Sequence, residues 1–190
     1  MENKTVLIIL GIIVALAVIV GIVLASMGNA DYTMQGDAAQ ITVPGNYSFD
    51  DANFIAYNDD GVNVTIMEQR SPDYFKKFYG AIRDNGKDSG YQNVTNTTIN
   101  GYEVYDFAAN PSELKNVSTT KEVSGGYETW TEYTPETAAS FKTHVNHYRS
   151  IVYIKDGKIN QLLIYTDNPN TSLYTPEIEA IINSIAPITE

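Results

Sequence analysis

The sequence contains no cysteine, and this absence removes several chemistries at once. Disulfide bonds, thiolate metal sites and cysteine nucleophiles all require the thiol group. A lipid anchor attached to a cysteine is excluded for the same reason. The 190 residues must therefore be stabilised by a packed core, which a chain of this size can build without cross-links.

Positive charge is also scarce. The chain has 12 Lys and Arg against 23 Asp and Glu, which gives a formal net charge of −11 at pH 7. An acidic surface repels phosphate backbones and anionic lipid headgroups, so we expect no nucleic-acid partner. The charge remains compatible with cations, with basic partners, and with a purely solubilising role.

The motifs that mark nucleotide-binding proteins and hydrolases are missing. The sequence has no G-x-G-x-x-G, no phosphate-binding P-loop, no G-x-S-x-G and no H-E-x-x-H. Ser112 and Lys115 match the S-x-x-K pattern of penicillin-recognising enzymes, but the partner motifs of that pattern do not follow in order. We therefore predict no catalytic residues and no cofactor, and expect that the protein is not an enzyme.

Candidate metal ligands are few. His144 and His147 are three residues apart, which places them on opposite faces of a strand. Asp59 and Asp60 precede Gly61, but the spacing of a calcium-binding loop is absent, so a solvated turn is the favoured interpretation. The sequence predicts no metal site.

One long apolar run interrupts the polar composition. Residues 5–27 contain no charged residue, and a helix of this length can cross about 30 Å of hydrocarbon. The alternative is a cleaved signal peptide, whose apolar region is shorter, about 7–15 residues. Ala17, Gly21 and Ala25 form a stripe of small residues that would let two such helices pack closely.

The charges that flank this run predict its orientation. Lys4 and the α-amine precede it, whereas the first lysine after it is Lys76. We therefore predict a single-pass protein of the cell membrane with a cytoplasmic N-terminus and an extracellular domain. The predicted segments are a cytoplasmic N-terminus over residues 1–4, a transmembrane helix over 5–27, a stalk over 28–39 and an extracytoplasmic domain over 40–190.

Alternating hydrophobicity predicts strands in the outer domain. It is clearest over residues 62–67, 102–107 and 127–133. Two longer stretches, 146–155 and 158–166, are joined by Asp156-Gly157, and this dipeptide favours a tight hairpin, as Asp60-Gly61 does earlier. The middles of the long stretches are apolar on both faces, which is typical of central strands covered on both sides.

Two amphipathic helices are predicted from capping residues and apolar stripes. Ser71-Pro72-Asp73 and Thr175-Pro176-Glu177 are typical helix starts. The stripes, spaced i, i+3, i+4 and i+7, are Phe75, Phe78, Tyr79 and Ile82 in the first helix and Ile178, Ile181, Ile182 and Ile185 in the second. The predicted fold class is α+β: an N-terminal transmembrane helix followed by an antiparallel sheet with two amphipathic helices packed on one face.

The layout over residues 40–187 resembles the PsbP-like extracytoplasmic α+β domains. The resemblance rests on Ile41-Thr42-Val43-Pro44 before Tyr47 and Phe49, on the late hairpin, and on the last helix, Glu177 to Ile185. The apolar run with its acidic outer sequence, rich in Asn and Thr, also resembles small membrane-anchored surface proteins of methanogenic archaea. The resemblance implies an accessory or binding module and no catalytic residues.

Six N-x-S/T sequons make the outer domain a candidate glycoprotein. They are Asn46, Asn63, Asn93, Asn96, Asn116 and Asn170. Chance predicts about three in a segment of this Asn and Ser/Thr content, so the excess is modest. Asn93, Asn96 and Asn116 fall in predicted loops, which favours them over Asn63, which falls in a predicted strand.

The clearest candidate binding residues are Glu128, Trp130 and Glu132, which share one face of a predicted strand. An indole ring between two carboxylates can stack on a sugar ring, and the carboxylates can accept hydrogen bonds from the sugar hydroxyls. The four-residue step along the strand from Glu128 to Glu132 spans about 13 Å. The paired carboxylates of a glycosidase lie about 5–9.5 Å apart, so this pair alone is too widely spaced. The alternative interpretation is a core Trp with two edge charges that prevent strand pairing.

These features predict a membrane-anchored extracytoplasmic binding or accessory domain with no evident catalytic site. The partners expected are the membrane and either another membrane or envelope protein or a surface sugar. The alternatives are a subunit of a larger membrane complex and, less favoured, an envelope-acting hydrolase with a dispersed carboxylate site.

Overall fold

The computed structural model describes residues 30–36, 39–68, 71–114, 117–123, 126–132 and 144–188. Within these ranges the chain forms strands β1 (Tyr32–Gln35), β2 (Gln40–Val43), β3 (Ser48–Asp50), β4 (Ile55–Tyr57), β5 (Asn63–Glu68), β6 (Tyr91–Ile99), β7 (Tyr102–Ala109), β8 (Val117–Val123), β9 (Gly126–Glu132), β10 (His147–Lys155) and β11 (Lys158–Thr166). It also forms helices α1 (Pro72–Asn85) and α2 (Pro176–Asn183) and a short 3-10 helix (Gly86–Ser89).

A seven-stranded antiparallel sheet in the order β3-β4-β5-β11-β10-β7-β6 organises the fold. The hairpins β1–β2 and β8–β9 form two small separate sheets. Strand β10 lies near the middle and is buried from Tyr148 to Ile154, because both of its faces are covered. The prediction that the long hairpin supplies central strands is confirmed, and β10 is covered on both sides as expected, whereas one face of β11 is only partly buried.

The two helices pack on opposite faces of the sheet. Helix α1 places Phe75, Tyr79 and Ile82 in one core cluster, which includes Val152 of β10. Helix α2 and the β1–β2 hairpin cover the other face in a second cluster, which includes Tyr153. The expectation that both helices share one face is therefore wrong: β10 is apolar on each side, so each face needs its own cover.

Two tight turns use left-handed backbone where the sequence offers Asn-Gly and Asp-Gly. Asn100 and Gly101 have φ values of 50° and 80°, and Asp156 and Gly157 have 52° and 76°. Such pairs of positive φ match the twist of two-residue hairpins. The Asp156-Gly157 hairpin was predicted from sequence and is confirmed.

Asn100 also stabilises the end of the second helix. Its side-chain amide donates to the carbonyl of Asn183 at 3.1 Å and to that of Ile185 at 2.8 Å. Helix C-termini leave carbonyls without partners inside the helix, so these bonds satisfy groups at the end of α2 and just beyond it. The β6–β7 turn is thereby tied to the helix on the α2 face.

The described residues correct the predicted fold class. They form a mostly β architecture, and the two α-helices contain 14 and 8 residues, about 21 and 12 Å at the helical rise. Neither helix is long and apolar enough to cross a membrane of about 30 Å. Residues 5–27, for which the sequence predicts a transmembrane helix, lie outside the described residues.

The predictions that depend on the transmembrane helix are corrected with it. No helix in the described ranges supports a single-pass topology, and therefore none supports a cell-membrane localisation with a cytoplasmic N-terminus and an extracellular domain. Strand β1 lies within the predicted stalk, residues 28–39, and pairs with β2. The folded structure thus begins before residue 40.

We expect alkaline pH to lower the stability of the fold through Tyr153. Burial raises the pKa of this phenol above its ordinary value of 10.0, and its hydroxyl donates to the Ile182 carbonyl at 3.1 Å. Above pH 10.0 the unfolded chain releases this proton while the folded chain retains it, so the free energy of unfolding falls as pH rises. The contribution is complete below pH 10.0 and is lost at up to about 1.4 kcal/mol per pH unit.

Urea unfolding of the protein and of Tyr153→Phe across the alkaline range checks this. At neutral pH the variant should be less stable by a constant amount, since it lacks the hydrogen bond. Above pH 10.0 the two curves should converge. Parallel curves through that range would show that Tyr153 ionises equally easily in both states.

Candidate binding site

A polar pocket of about 380 Å³ opens between three segments that are distant in sequence. This volume lies near the lower end of the range for small-molecule sites, about 300–1,000 Å³. The segments are the turn after β2, the β4–β5 turn, and the β11–α2 loop with the first turn of α2. The lining residues are Tyr47, Asn58, Asp59, Asp60, Val62, Asn168, Asn170, Thr171, Ser172, Thr175, Glu177 and Ile178.

The β4–β5 turn is held in shape by its own first residue. The side-chain oxygen of Asn58 accepts from the backbone N–H of Asp60 at 3.1 Å and of Val62 at 3.0 Å. Asn is favoured in turns because its side chain can replace a backbone acceptor in this way. The Thr171 hydroxyl then donates to the Asp60 carbonyl at 3.0 Å, which joins this turn to the β11–α2 loop.

The start of α2 forms another wall. Thr175 is the N-cap, and its hydroxyl accepts from the backbone N–H of Ile178 at 3.3 Å. Pro176 occupies the first turn, where its missing N–H costs nothing. Glu177 follows at the positive end of the helix, and its carboxylate accepts from the Asn46 amide at 3.1 Å.

Tyr47 is the unusual residue of the pocket. It is only 3% exposed, and its hydroxyl has no hydrogen-bond partner among the described residues. Burial raises the pKa of this phenol, and Glu177 and Asp60 raise it further, although no hydrogen bond of acceptable geometry joins Tyr47 to Glu177. A buried hydroxyl without a partner costs about 1–3 kcal/mol, so this atom marks a place where a bound group would be stabilised.

The pocket carries negative charge. Asp59, Asp60 and Glu177 line it, and no Lys, Arg or His is among its lining residues. In the part of the chain that the structure describes, no three acidic or histidine side chains are grouped so that they could hold a metal ion. The arrangement therefore offers acceptors for hydrogen bonds and for positive charge, without the geometry of a metal centre.

A buried arginine fixes the loop that forms one side of the pocket. Arg149 of β10 contacts Asp106 through Nε–Oδ1 and Nη2–Oδ2 distances of 3.1 and 2.6 Å. Its Nη1 donates to the Leu173 carbonyl at 3.1 Å and to Glu179 of α2, and its guanidinium lies 4.4 Å from the ring centroid of Tyr174. Burial lowers the pKa of Arg149, but the hydrogen bonds to Asp106 and Glu179 outweigh it, so the pKa is raised.

Two other pockets differ from the one at Tyr47 in their polar lining. One, of about 600 Å³, lies between α1 and β6, and the other, of about 500 Å³, lies on β4, β5 and β11. Neither is lined, within the described ranges, by a buried side-chain polar atom without a partner. The polar pocket at Tyr47 is therefore the candidate binding site.

The platform predicted from sequence lies elsewhere. Strand β9 carries Glu128, Trp130 and Glu132, whose backbones pair with Lys121, Thr119 and Val117 of β8. The positions of these side chains lie outside the described part of the structure. The sugar platform stays a prediction, and it is not part of the candidate site.

The sequons differ in how their side chains are used. The Asn63 amide donates to the carbonyls of Gly61 and Tyr165, inside the sheet, whereas the Asn93 amide donates to the Tyr174 hydroxyl at 2.7 Å. Asn170 is exposed on the rim of the pocket.

The predicted loop positions of three sequons are only partly testable. Asn93 and Asn96 lie in strand β6, not in loops, and Asn116 lies outside the described residues. Glycosylation of these residues stays a prediction, and Asn63 is the least exposed of the five sequon residues that the structure describes.

The two histidines and the Ser112–Lys115 pair complete the residues considered as candidates from the sequence. The ring nitrogens of His147 contact the side-chain oxygen of Asn146 at 3.1 Å and the Thr171 carbonyl at 2.8 Å. His144 lines the apolar pocket on β5 and β11. The Ser112 hydroxyl donates to Asn110 at 2.7 Å, and Lys115 lies outside the described residues.

Sequence reasoning missed Tyr47 and Glu177 as site residues. The hydrogen bond from Thr171 to Asp60 joins residues 111 positions apart, and the one from Asn46 to Glu177 joins residues 131 positions apart. A local sequence pattern cannot indicate contacts of this range. Asp59 and Asp60 were considered only for calcium. No protein-family model matches the chain, and the search of curated proteins finds no match.

Proposed function

We propose that the folded domain is a non-catalytic binding module that holds a small polar ligand in the pocket at Tyr47. The observation that carries the proposal is the buried Tyr47 hydroxyl, which lines an open pocket and has no partner among the described residues. Native structures pair most buried polar groups, so an exception in a pocket favours a ligand.

The character of the lining supports binding over catalysis. The hydroxyls of Ser172 and Thr175 and the side-chain oxygen of Asn168 accept bonds from nearby backbone N–H groups, at 3.2, 3.3 and 3.0 Å. These groups shape the walls, and they are not arranged as a nucleophile with its base. The resemblance to PsbP-like domains points the same way and stays a prediction.

A second candidate function is contact with another protein subunit. Phe49 of the edge strand β3 and Phe54 of the β3–β4 turn are both exposed, with ring centroids 5.5 Å apart. Phe54 has a φ of 55°, an uncommon value for a bulky residue, and such strain is found at functional surfaces. A partner at this edge would bury both rings and would leave the pocket free.

A thermal-shift screen of the full-length chain tests the first proposal. The compounds are neutral polyols, organic cations and organic anions, each in large excess, with Tyr47→Phe as the pocket variant. A ligand at about a hundred times its Kd stabilises the fold by about 2.7 kcal/mol, a shift of several degrees. We expect at least one class to shift the protein and to shift the variant less.

Two results would count against the proposal. If no class of compound raised the melting temperature, the pocket would not be a binding site for a small polar ligand. If the protein converted a bound compound into product and the Glu177→Gln variant did not, the domain would be an enzyme and not a binding module. The screened compounds should therefore be recovered and analysed after incubation.

A further inference from the structure

The ligand class can be inferred by setting aside the pocket groups that are already used. Asn58 and Asn168 accept backbone N–H groups, and Thr171 donates to the Asp60 carbonyl. Ser172 and Thr175 also accept backbone N–H groups. These bonds stabilise the loops and use the oxygens of Asn58, Asn168, Ser172 and Thr175 as acceptors, whereas the N–H and O–H donors of these four side chains take no part in them.

The remaining polar side chains are the carboxylates of Asp59, Asp60 and Glu177, the hydroxyl of Tyr47 and the amide of Asn170 at the rim. The Asp59 and Asp60 carboxylates make no hydrogen bond or ion pair with the described residues, and Glu177 accepts a single bond, from Asn46. A carboxylate offers about four acceptor positions and no donor. The unused acceptors of the pocket are thus mainly carboxylate oxygens, and the charge of the lining is negative.

The helix N-terminus does not reverse this charge. The start of α2 contributes about half a positive charge through its backbone dipoles. Three carboxylates line the same pocket, and no basic side chain lines it. The net field at the pocket therefore favours a positive ligand over an anion or a neutral molecule of the same shape.

We propose that this pocket takes a small organic cation carrying a primary ammonium group, an inference that rests on the proposed binding function. A primary ammonium has three N–H donors, and the phenol oxygen of Tyr47 with the carboxylates of Glu177 and Asp60 supplies three acceptor groups. The phenol oxygen of Tyr47, which has no partner among the described residues, can accept one of the ammonium N–H groups. A metal ion is disfavoured because the described acidic groups do not form a metal-binding cluster.

Matched probes separate charge from hydrogen bonding. Ethylammonium presents both, tetramethylammonium presents charge without N–H donors, and ethylene glycol presents donors without charge. Binding to the full-length chain is followed by calorimetry and by chemical-shift changes of the pocket residues. We expect ethylammonium to bind most tightly, to weaken as salt is added, and to shift the signals of Tyr47 and Glu177.

Three variants test the residues, and one serves as a control. Asp60→Asn leaves intact the backbone carbonyl that Thr171 uses, so the loop contact is retained. Tyr47→Phe, Glu177→Gln and Asp60→Asn should each weaken ethylammonium binding by about tenfold, the scale of one charged hydrogen bond. Asp51→Asn removes an equal charge from an exposed residue outside the pocket lining and should leave binding unchanged.

The outcomes distinguish this inference from the proposed function. Tighter binding of ethylene glycol than of ethylammonium would overturn the ammonium assignment and leave a neutral-ligand binding module. Equal binding of tetramethylammonium would overturn the role of Tyr47 as an acceptor. Absence of binding for all probes and for the wider screen would overturn both proposals.

Discussion

Replacing Arg149 by methionine is expected to lower the free energy of unfolding by about 3–5 kcal/mol. The side chains of Arg149 and Asp106 are 6% and 16% exposed, so removal of the cation leaves a largely buried negative charge. It also removes the donor to the Leu173 carbonyl. Methionine replaces much of the volume, so the expected loss comes from unpaired polar groups and not from a cavity.

The contribution of the two acidic partners should be unequal. Glu179 is 42% exposed, and solvent screens its interaction with Arg149. Asp106 is nearly enclosed and is bound through two nitrogens. Most of the effect of Arg149→Met should therefore arise at Asp106.

Arg83→Met supplies the matched control. Arg83 pairs with Asp84, but these side chains are 65% and 68% exposed, and exposed pairs contribute about 0–1 kcal/mol. Urea unfolding of the two variants and the parent protein measures the difference. Similar losses in both variants, or no loss in Arg149→Met, would contradict a structural role for the buried pair.

The same substitution connects the core to the pocket. Arg149 holds Leu173 in the β11–α2 loop and Glu179 in α2, and both elements line the pocket. Loss of these contacts should loosen the wall that carries Thr171 and Ser172. The buried pair is thus a positioning device for the candidate site as well as a stabilising one.

Local patterns in the sequence predict the elements well where one turn or one stripe decides them. Asp156-Gly157 sets the hairpin between β10 and β11, and Thr175-Pro176 starts α2 as expected. The predicted stripe of Ile178, Ile181, Ile182 and Ile185 is buried in one core cluster. These features depend on residues within a few positions of each other.

Long-range choices were not predictable in this way. Two apolar faces on β10 show that both sides are covered, but not which element covers each, so the placement of α1 and α2 on one face was wrong. Strand β6 was missed because its polar residues, many of them Thr and Asn, lie at an exposed edge and show no buried alternation. The pocket depends on contacts across more than a hundred residues, which no local pattern contains.

Replacing Gly90 by alanine is expected to destabilise the protein by about 2–5 kcal/mol. Gly90 connects the 3-10 helix to β6 with a φ of +82°, which costs an L-residue about 1–2 kcal/mol. An added Cβ would also lie 2.6 Å from the Glu113 carbonyl oxygen and 3.1 Å from the Leu114 Cα. Those neighbours are backbone atoms and cannot rotate away, so overlap adds about 1–3 kcal/mol.

Two other glycines separate these contributions. Gly157 has a φ of +76° but open space around its Cβ position, so Gly157→Ala should cost only the backbone term, about 1–2 kcal/mol. Gly80 lies within α1, and apart from its chain neighbours and the backbone of its own helix no atom lies within 4 Å of that position, so Gly80→Ala should stabilise by about 0.5–1 kcal/mol. Urea midpoints at constant m-value should therefore rank Gly80→Ala above the parent protein, then Gly157→Ala, then Gly90→Ala. If Gly90→Ala matched Gly157→Ala, the segment around Glu113 would have to yield, and the tight junction between β6 and that segment would not be a rigid part of the fold.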